Sequence, residues 1–285
     1  MNKDTHMASV GASLQDWIGP MSEAEDVVTP RLVRSLHATL APHAAGSRDA
    51  PPPGLHWCLA PDIVDAGELG PDGHPARGGF LPPVPLPRRM WAGSDVRLLG
   101  PLATGERVRR CSTIAKVEEK QGRTGLLIFV TVRHALSTNT GLVLEEDQII
   151  VYREAAGPGA SPASAPPALA PAPHERIVDV DPVLLFRYSA LTFNGHRIHY
   201  DDPYTTGIEH YAGLVIHGPL QATLLLNFAS GIHGRPPTGF SFRGTHPATG
   251  VQSLTLRATP DDAGGLSLEV QAADGHVTMK AMAQW

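Results

Sequence analysis

Residues 217 to 230 read HGPLQATLLLNFAS, and four strand candidates follow at 239 to 245, 251 to 259, 265 to 273 and 277 to 284. The Gly218-Pro219 pair stands where an apolar helical stretch begins, and the segments behind it are rich in β-branched and apolar residues with turn signals between them. The same grammar occurs earlier in the chain. Ser22-Glu-Ala-Glu25 has capping-box spacing, and Thr29-Pro30 offers a helix start ahead of Leu32, Val33, Leu36 and Leu40. Strand candidates follow at 108 to 117, 126 to 136 and 142 to 152. Helix followed by antiparallel strands, twice, predicts an α+β arrangement built by duplication.

The run from Ala155 to Pro173 consists of Ala, Gly, Pro and Ser with a lone Leu169. Proline removes backbone donors and small residues bury little, so this run predicts a solvated linker. The expected organisation is a half at 1 to 154, a linker at 155 to 173 and a second half at 174 to 285. Residues 80 to 93, FLPPVPLPRRMWAG, are too rich in proline for a central strand and predict an ordered surface loop. Arg88, Arg89, Met90 and Trp91 could form part of a ligand mouth there, or Trp91 could plug the core edge.

Composition narrows the function. The formal net charge of -5 provides no basic field for nucleic acid. No run of about 18 apolar residues exists, the opening residues lack a secretory pattern, and the two cysteines form no CxxC, so neither a membrane span, a disulfide framework nor a zinc site is expected. A cytoplasmic location is the expectation.

Residues 188 to 202, YSALTFNGHRIHYDD, hold the densest group of proton-handling side chains. Asn194 and His199 lie five apart; a short loop leading into a helical turn lets both face one cavity. His199 is then the proton carrier, since imidazole titrates near pH ~6.5, and Asn194 can hold a water or a substrate oxygen. The bland alternative is a capping Asn194 and a satisfied core His199. Asp201 is either a turn or cap acid, or the carboxylate that orients an imidazole. Arg197 either grips an anionic group of a ligand or forms an ion pair with Asp201 or Asp202. At His217-Gly218, unpaired amides at a helix start can stabilise an oxyanion, unless the segment is an ordinary strand-to-helix turn.

Thr192-Phe-Asn194-Gly-His196-Arg197-Ile-His199 resembles the signature of the MaoC-like hydratases and dehydratases of the hotdog superfamily, with the family's catalytic Asp replaced by Asn194, its Asn by His196 and its Pro by Arg197. Tyr188 to Asp201, His217-Gly218, Phe240 to Gly244, Asp72-Gly-His74, Gly79 to Pro83 and Pro87 to Gly93 resemble the branch of mesaconyl-C4-CoA and itaconyl-CoA hydratases, related to the mitochondrial 3-hydroxyacyl-thioester dehydratase. The resemblance implies a double hotdog whose second half is catalytic and whose first half is scaffold and acyl-pocket wall. It implies a hydratase of short dicarboxylic enoyl-CoA thioesters with Asn194 and His199 as catalytic pair, backbone of His217 and Gly218 as oxyanion site, and Arg197 or Arg243 for the substrate carboxylate or the CoA. No metal or other cofactor is implied, and a homodimer is common in such proteins. The alternatives are a 3-hydroxyacyl-thioester dehydratase of fatty-acid or polyketide metabolism, and a hotdog acyl-CoA binding protein or thioesterase.

Overall fold

The computed structural model describes residues 14–122, 125–154, 166 and 169–285. Among the described residues ten strands form a single antiparallel sheet. The first five are β1 (Met21–Val27), β2 (Arg88–Leu98), β3 (Arg107–Gly122), β4 (Gly125–Thr138) and β5 (Gly141–Arg153). The others are β6 (His174–Val180), β7 (Gly239–Gly244), β8 (Gln252–Pro260), β9 (Leu266–Gln271) and β10 (Val277–Gln284). The order across the sheet is β1-β3-β4-β5-β2-β7-β10-β9-β8-β6. Read from either edge inward, each set of five follows the same path, and the two sets join where β2 pairs with β7. Gly93 makes this join close, since a Cβ there would stand 2.3 Å from the Phe242 carbonyl oxygen.

Helix α1 (Pro30–Leu40) begins where Thr29 caps it, its hydroxyl accepting from Leu32 N–H at 3.1 Å, with Pro30 in the first turn. Helix α2 (Pro182–Thr192) is capped in the same way by Asp181. A short helix α3 (Asp202–Gly207) precedes the long helix α4 (Gly218–His233). Every residue of α4 from Leu220 to Ser230 is buried, because helix and sheet close over one core that draws on both sets of strands. A smaller core of Leu14, Val84, Leu86, Ile114, Ile128, Val130 and Tyr152 lies within residues 14–152.

Two expectations need correction, and one segment had none. Ser22 to Glu25 is strand, not a helix start: β1 pairs with β3 along its whole length and Glu23 reaches Arg109 at 2.5 Å, so cross-strand bonding outweighs one local cap. The segment 80 to 93 is a loop only as far as Pro87. From Arg88 onward the prolines stop, every amide is free to pair, and β2 becomes the strand at the centre of the sheet. Residues 174 to 192, unassigned from the sequence, form β6 and α2; the PVLLFRYSALT run has no clear periodicity because Val183 and Phe186 are exposed while Leu185 and Tyr188 are buried. The helix at Thr29-Pro30, the helix after Gly218 and the other strand candidates are present at the expected places. Most of the 155 to 173 run lies outside the described residues, as do residues 1–13. Among the described residues no helix is long and apolar enough to cross a membrane.

Candidate active site

The end of α2 sets the site. Phe193 takes a left-handed conformation (φ 52°), the chain reverses, and the Asn194 amide returns to the Ser189 carbonyl at 2.9 Å. Asn194 Oδ1 then accepts from the His196 amide at 3.0 Å and leads into a 3-10 turn at Arg197–His199. Asn194 therefore does cap the turn, yet its amide nitrogen has no acceptor among the described residues and the side chain lines the cavity.

His199 is held at both of its sides. The Val215 amide donates to Ile198 O at 2.8 Å, and His199 Nδ1 donates to the Val215 carbonyl at 2.7 Å. A carbonyl only accepts, so the proton sits on Nδ1 and Nε2 keeps its lone pair. Burial lowers the pKa of His199 to about 4, against the Val215 bond, which raises it. The ring is neutral at pH 7, in the form a base requires.

His199 belongs to a row of imidazoles. His217 stacks on it at 3.5 Å between ring centroids, His196 meets it edge-on at 5.4 Å, and His74 lies 4.0 Å beyond His196. His217 Nε2 bonds the Ser189 hydroxyl at 2.8 Å, and burial holds His217 far below the usual histidine range. Burial likewise lowers His196, with His74 and His199 adding to the effect. His74 comes from the segment before β2 and bonds Asp72 through Nδ1 at 3.1 Å.

These side chains border a cavity of about 1570 Å³ whose wall includes His74, Arg89 and Trp91 as well as Asn194, His196, His199 and Gly218. Gly218 opens α4, so its N–H has no partner within the helix. A Cβ on Gly218 would meet only the Trp91 carbonyl at 3.8 Å and Met279 Cε at 3.9 Å, so the space above it is open to a ligand. Amide, helix dipole and neutral imidazole together can support an oxyanion and move a proton beside it.

At Arg197 and Asp201 the structural alternatives hold over the functional ones. Arg197 does not face the cavity: Nε and Nη2 bind Asp201 at 2.9 and 2.7 Å, Nη1 donates to the Pro71 carbonyl, and the guanidinium lies over Tyr204. Asp201 orients no imidazole; it binds Arg197 and caps α3 through the Tyr204 amide at 3.1 Å. Both are spent on fixing the turn that carries His199. The acid that does hold an imidazole is Asp72, whose signal in the sequence was only the Asp72-Gly-His74 spacing. Arg243 lies on the cavity wall, exposed, on β7. Arg89 also lines it and forms no ion pair among the described residues, and its bond to Pro75 O is long, at 3.4 Å. Its neighbour Arg88 is buried in an ion pair with Glu209 at 3.0 Å and is structural. Trp91 serves both expected purposes, lining the cavity and packing edge-on against Trp57.

Comparison with known proteins agrees with this architecture. The family model for hydroxyacyl-thioester dehydratase type 2 matches residues 54–250. The chain is 43% identical over 270 residues to a mesaconyl-C(4)-CoA hydratase of Chloroflexus aurantiacus, covering 93% of this chain and 95% of that protein. It is 26% identical over 268 residues to the mitochondrial hydroxyacyl-thioester dehydratase type 2 of Schizosaccharomyces pombe, covering 81% and 88%. Among solved structures, a conserved Mycobacterium tuberculosis protein with a double hotdog fold superposes with a TM-score of 0.53 at 15% identity, over 94% of this chain and 96% of the other. The chain therefore belongs to the hydroxyacyl-thioester dehydratase type 2 family of MaoC-like hydro-lyases and has the double hotdog fold.

Proposed function

We propose that this protein adds water to the double bond of a short dicarboxylic enoyl-CoA, itaconyl-CoA or mesaconyl-C4-CoA, giving citramalyl-CoA. The observation that carries the reading is the neutral His199, with its lone pair kept on Nε2, on the same cavity wall as Asn194 and the unpartnered Gly218 amide. The likeness to a mesaconyl-C(4)-CoA hydratase supports the acyl class. In the path we assign for mesaconyl-C4-CoA, whose double bond is conjugated to the thioester, Asn194 and His199 hold the attacking water, His199 Nε2 takes a proton as the oxygen joins the β-carbon, and the thioester oxygen becomes an oxyanion at the Gly218 N–H. Itaconyl-CoA, whose double bond lies one carbon further from the thioester, enters this path only after a proton shift that gives mesaconyl-C4-CoA. One such donor is worth about 3 kcal/mol of transition-state stabilisation. Dehydration is the reverse path. Hydration transfers no electrons, so the proposal needs no redox group, and added chelator should leave the rate unchanged.

A dicarboxylic acyl group carries a free anion. Arg197 is committed to Asp201, so we assign the grip to Arg89, with Arg243 at the cavity wall as the second candidate. The test is an ultraviolet assay of the enoyl-thioester band with mesaconyl-C1-, mesaconyl-C4- and crotonyl-CoA, and chromatography of the product with itaconyl-CoA, which lacks that band. Fastest turnover of the C5 dicarboxylyl thioesters is the expected result. Preference for crotonyl-CoA and longer chains would favour the second reading, a 3-hydroxyacyl-thioester dehydratase, which the apolar end of the cavity at Leu127, Phe129 and Ile150 would suit. Release of free thiol without loss of the double bond would mark a thioesterase.

A further inference from the structure

His74 is the imidazole in the cavity wall that carries its own carboxylate. Asp72 Oδ2 accepts from His74 Nδ1 at 3.1 Å, and Asp72 Oδ1 accepts from the His74 amide at 3.1 Å, so the ring is fixed with Nε2 as the free atom. Of the four rings in the row, His74 is the one with a carboxylate partner; His199 has the Val215 carbonyl and His217 the Ser189 hydroxyl. The loop that carries the dyad is clamped against the Asn194 turn. The Arg197 amide donates to Asp72 O at 2.9 Å, and Gly73 rests against the Gly195 carbonyl.

This placement answers a chemical need. A proton taken from water by His199 leaves an imidazolium that burial and, to a lesser degree, the His74 imidazole disfavour against the Val215 bond, with no carboxylate in contact. The family's acid at position 194 is an amide here and cannot take that proton. Burial lowers the pKa of His74 too and Arg89 adds to the lowering, but here the bond and charge of Asp72 oppose it, so an imidazolium at His74 would rest against a carboxylate. His196 lies between the two rings, 4.0 Å from one centroid and 5.4 Å from the other.

We propose that His74 is a second catalytic group, supplied by the part of the chain before β2, and that Asp72 is its positioning residue. The inference rests on the hydratase reading above. In hydration the O–H bond of water breaks, the oxygen pair forms the bond to the β-carbon, and the π pair moves into the enolate. The proton goes to His199 Nε2, passes through water in the cavity alongside His196 to His74, and leaves His74 Nε2 to form the α-carbon bond. All imidazoles return to the neutral state and the sum is one water added. In dehydration His74 takes the α-proton and the proton returns along the row to the leaving hydroxyl.

The experiment begins with the wild-type enzyme, which must turn over at least one enoyl-CoA of the panel and place deuterium at the α-carbon in D₂O; no turnover with any of them overturns both the hydratase reading and this proposal. His74→Gln is expected to lower kcat by at least about 100-fold with KM changed less than about 3-fold, and to slow α-deuterium exchange equally. Asp72→Asn keeps an acceptor for Nδ1 but removes the charge, and a kcat lowered about 10-fold or more is expected at unchanged melting temperature. Imidazole added to His74→Ala should restore part of the lost kcat, which a purely structural ring would not permit. If the wild type is active and either folded His74→Gln or Asp72→Asn keeps kcat and exchange within about 3-fold, His74 is not catalytic, while the hydratase reading stands.

Discussion

Gly73 and Gly195 touch so closely that a Cβ on Gly73 would stand 2.1 Å from the Gly195 carbonyl oxygen. Gly73 also has φ 85°, a conformation that L side chains rarely adopt. Two loops separated by more than a hundred residues are thereby locked face to face, and with them His74 and His196. Gly73→Ala is expected to push the loops apart, at a cost of about 1–2 kcal/mol for the backbone conformation alone. Turnover should fall by more than 10-fold while the melting temperature falls by only a few degrees, measured by steady-state assay and thermal unfolding.

Arg89 and Arg197 make opposite expectations. Arg197 is tied to Asp201 and Pro71, so Arg197→Ala should lower turnover of mesaconyl-C4-CoA and crotonyl-CoA by the same factor, together with the melting temperature. Arg89→Ala removes a guanidinium with no acidic partner in contact, so the KM for the dicarboxylyl thioester should rise about 10- to 100-fold, while that for crotonyl-CoA changes by less than about 2-fold. Equal effects of Arg89→Ala on both substrates would remove it from carboxylate recognition.

Gly218 offers a cleaner separation of fold from chemistry. Its Cβ would find only ordinary contacts at 3.8 and 3.9 Å, so Gly218→Ala should leave the melting temperature unchanged or slightly raised. The added methyl enters the open space before the free amide. Catalytic efficiency toward the enoyl thioester should drop at least 10-fold in the steady-state assay.

Acid should destabilise the protein through its buried neutral histidines. His199, His134 and His56 have pKa values lowered by burial to about 4, about 4 and about 3. An unfolded chain binds protons at these rings from pH ~6.5 downward while the folded chain does not, so stability falls as the pH drops from ~6.5 toward 4. Buried Glu146 works the other way. Its pKa is pushed up to about 7 by burial, against bonds from Ser94 and Trp57, so its ionisation costs stability as the pH rises from ~4.5 through 7. Thermal unfolding across pH 4 to 9 should show a steep acid limb, and Glu146→Gln should raise the melting temperature at pH 8 more than at pH 5. The hydration rate should stay flat from pH 8 to 6, since His199 remains neutral throughout.

What the sequence determined by itself is what neighbours along the chain decide. Thr29 ahead of Pro30 and Gly218 ahead of Pro219 mark helix starts through bonds and conformations within one turn, and β3, β4 and β5 show in their β-branched runs. The Asn194 to His199 turn was legible as far as its local bonds reach, between residues at most five apart, but its ties to Val215 and Asp72 were not. Tertiary structure decided the rest. Ser22 to Glu25 became strand because β3 offered partners, and Arg88 to Leu98 became the central strand because β5 and β7 both did. Arg197 does bind an anion, as its residue type suggests, but that anion is Asp201 and its remaining donor goes to Pro71, 126 residues away. His74 reaches the His199 turn, and Arg89 the same cavity, across comparable separations. Spacing in a sequence reports contacts within a few residues, whereas the partner of a long polar side chain is set by which strands the sheet places side by side.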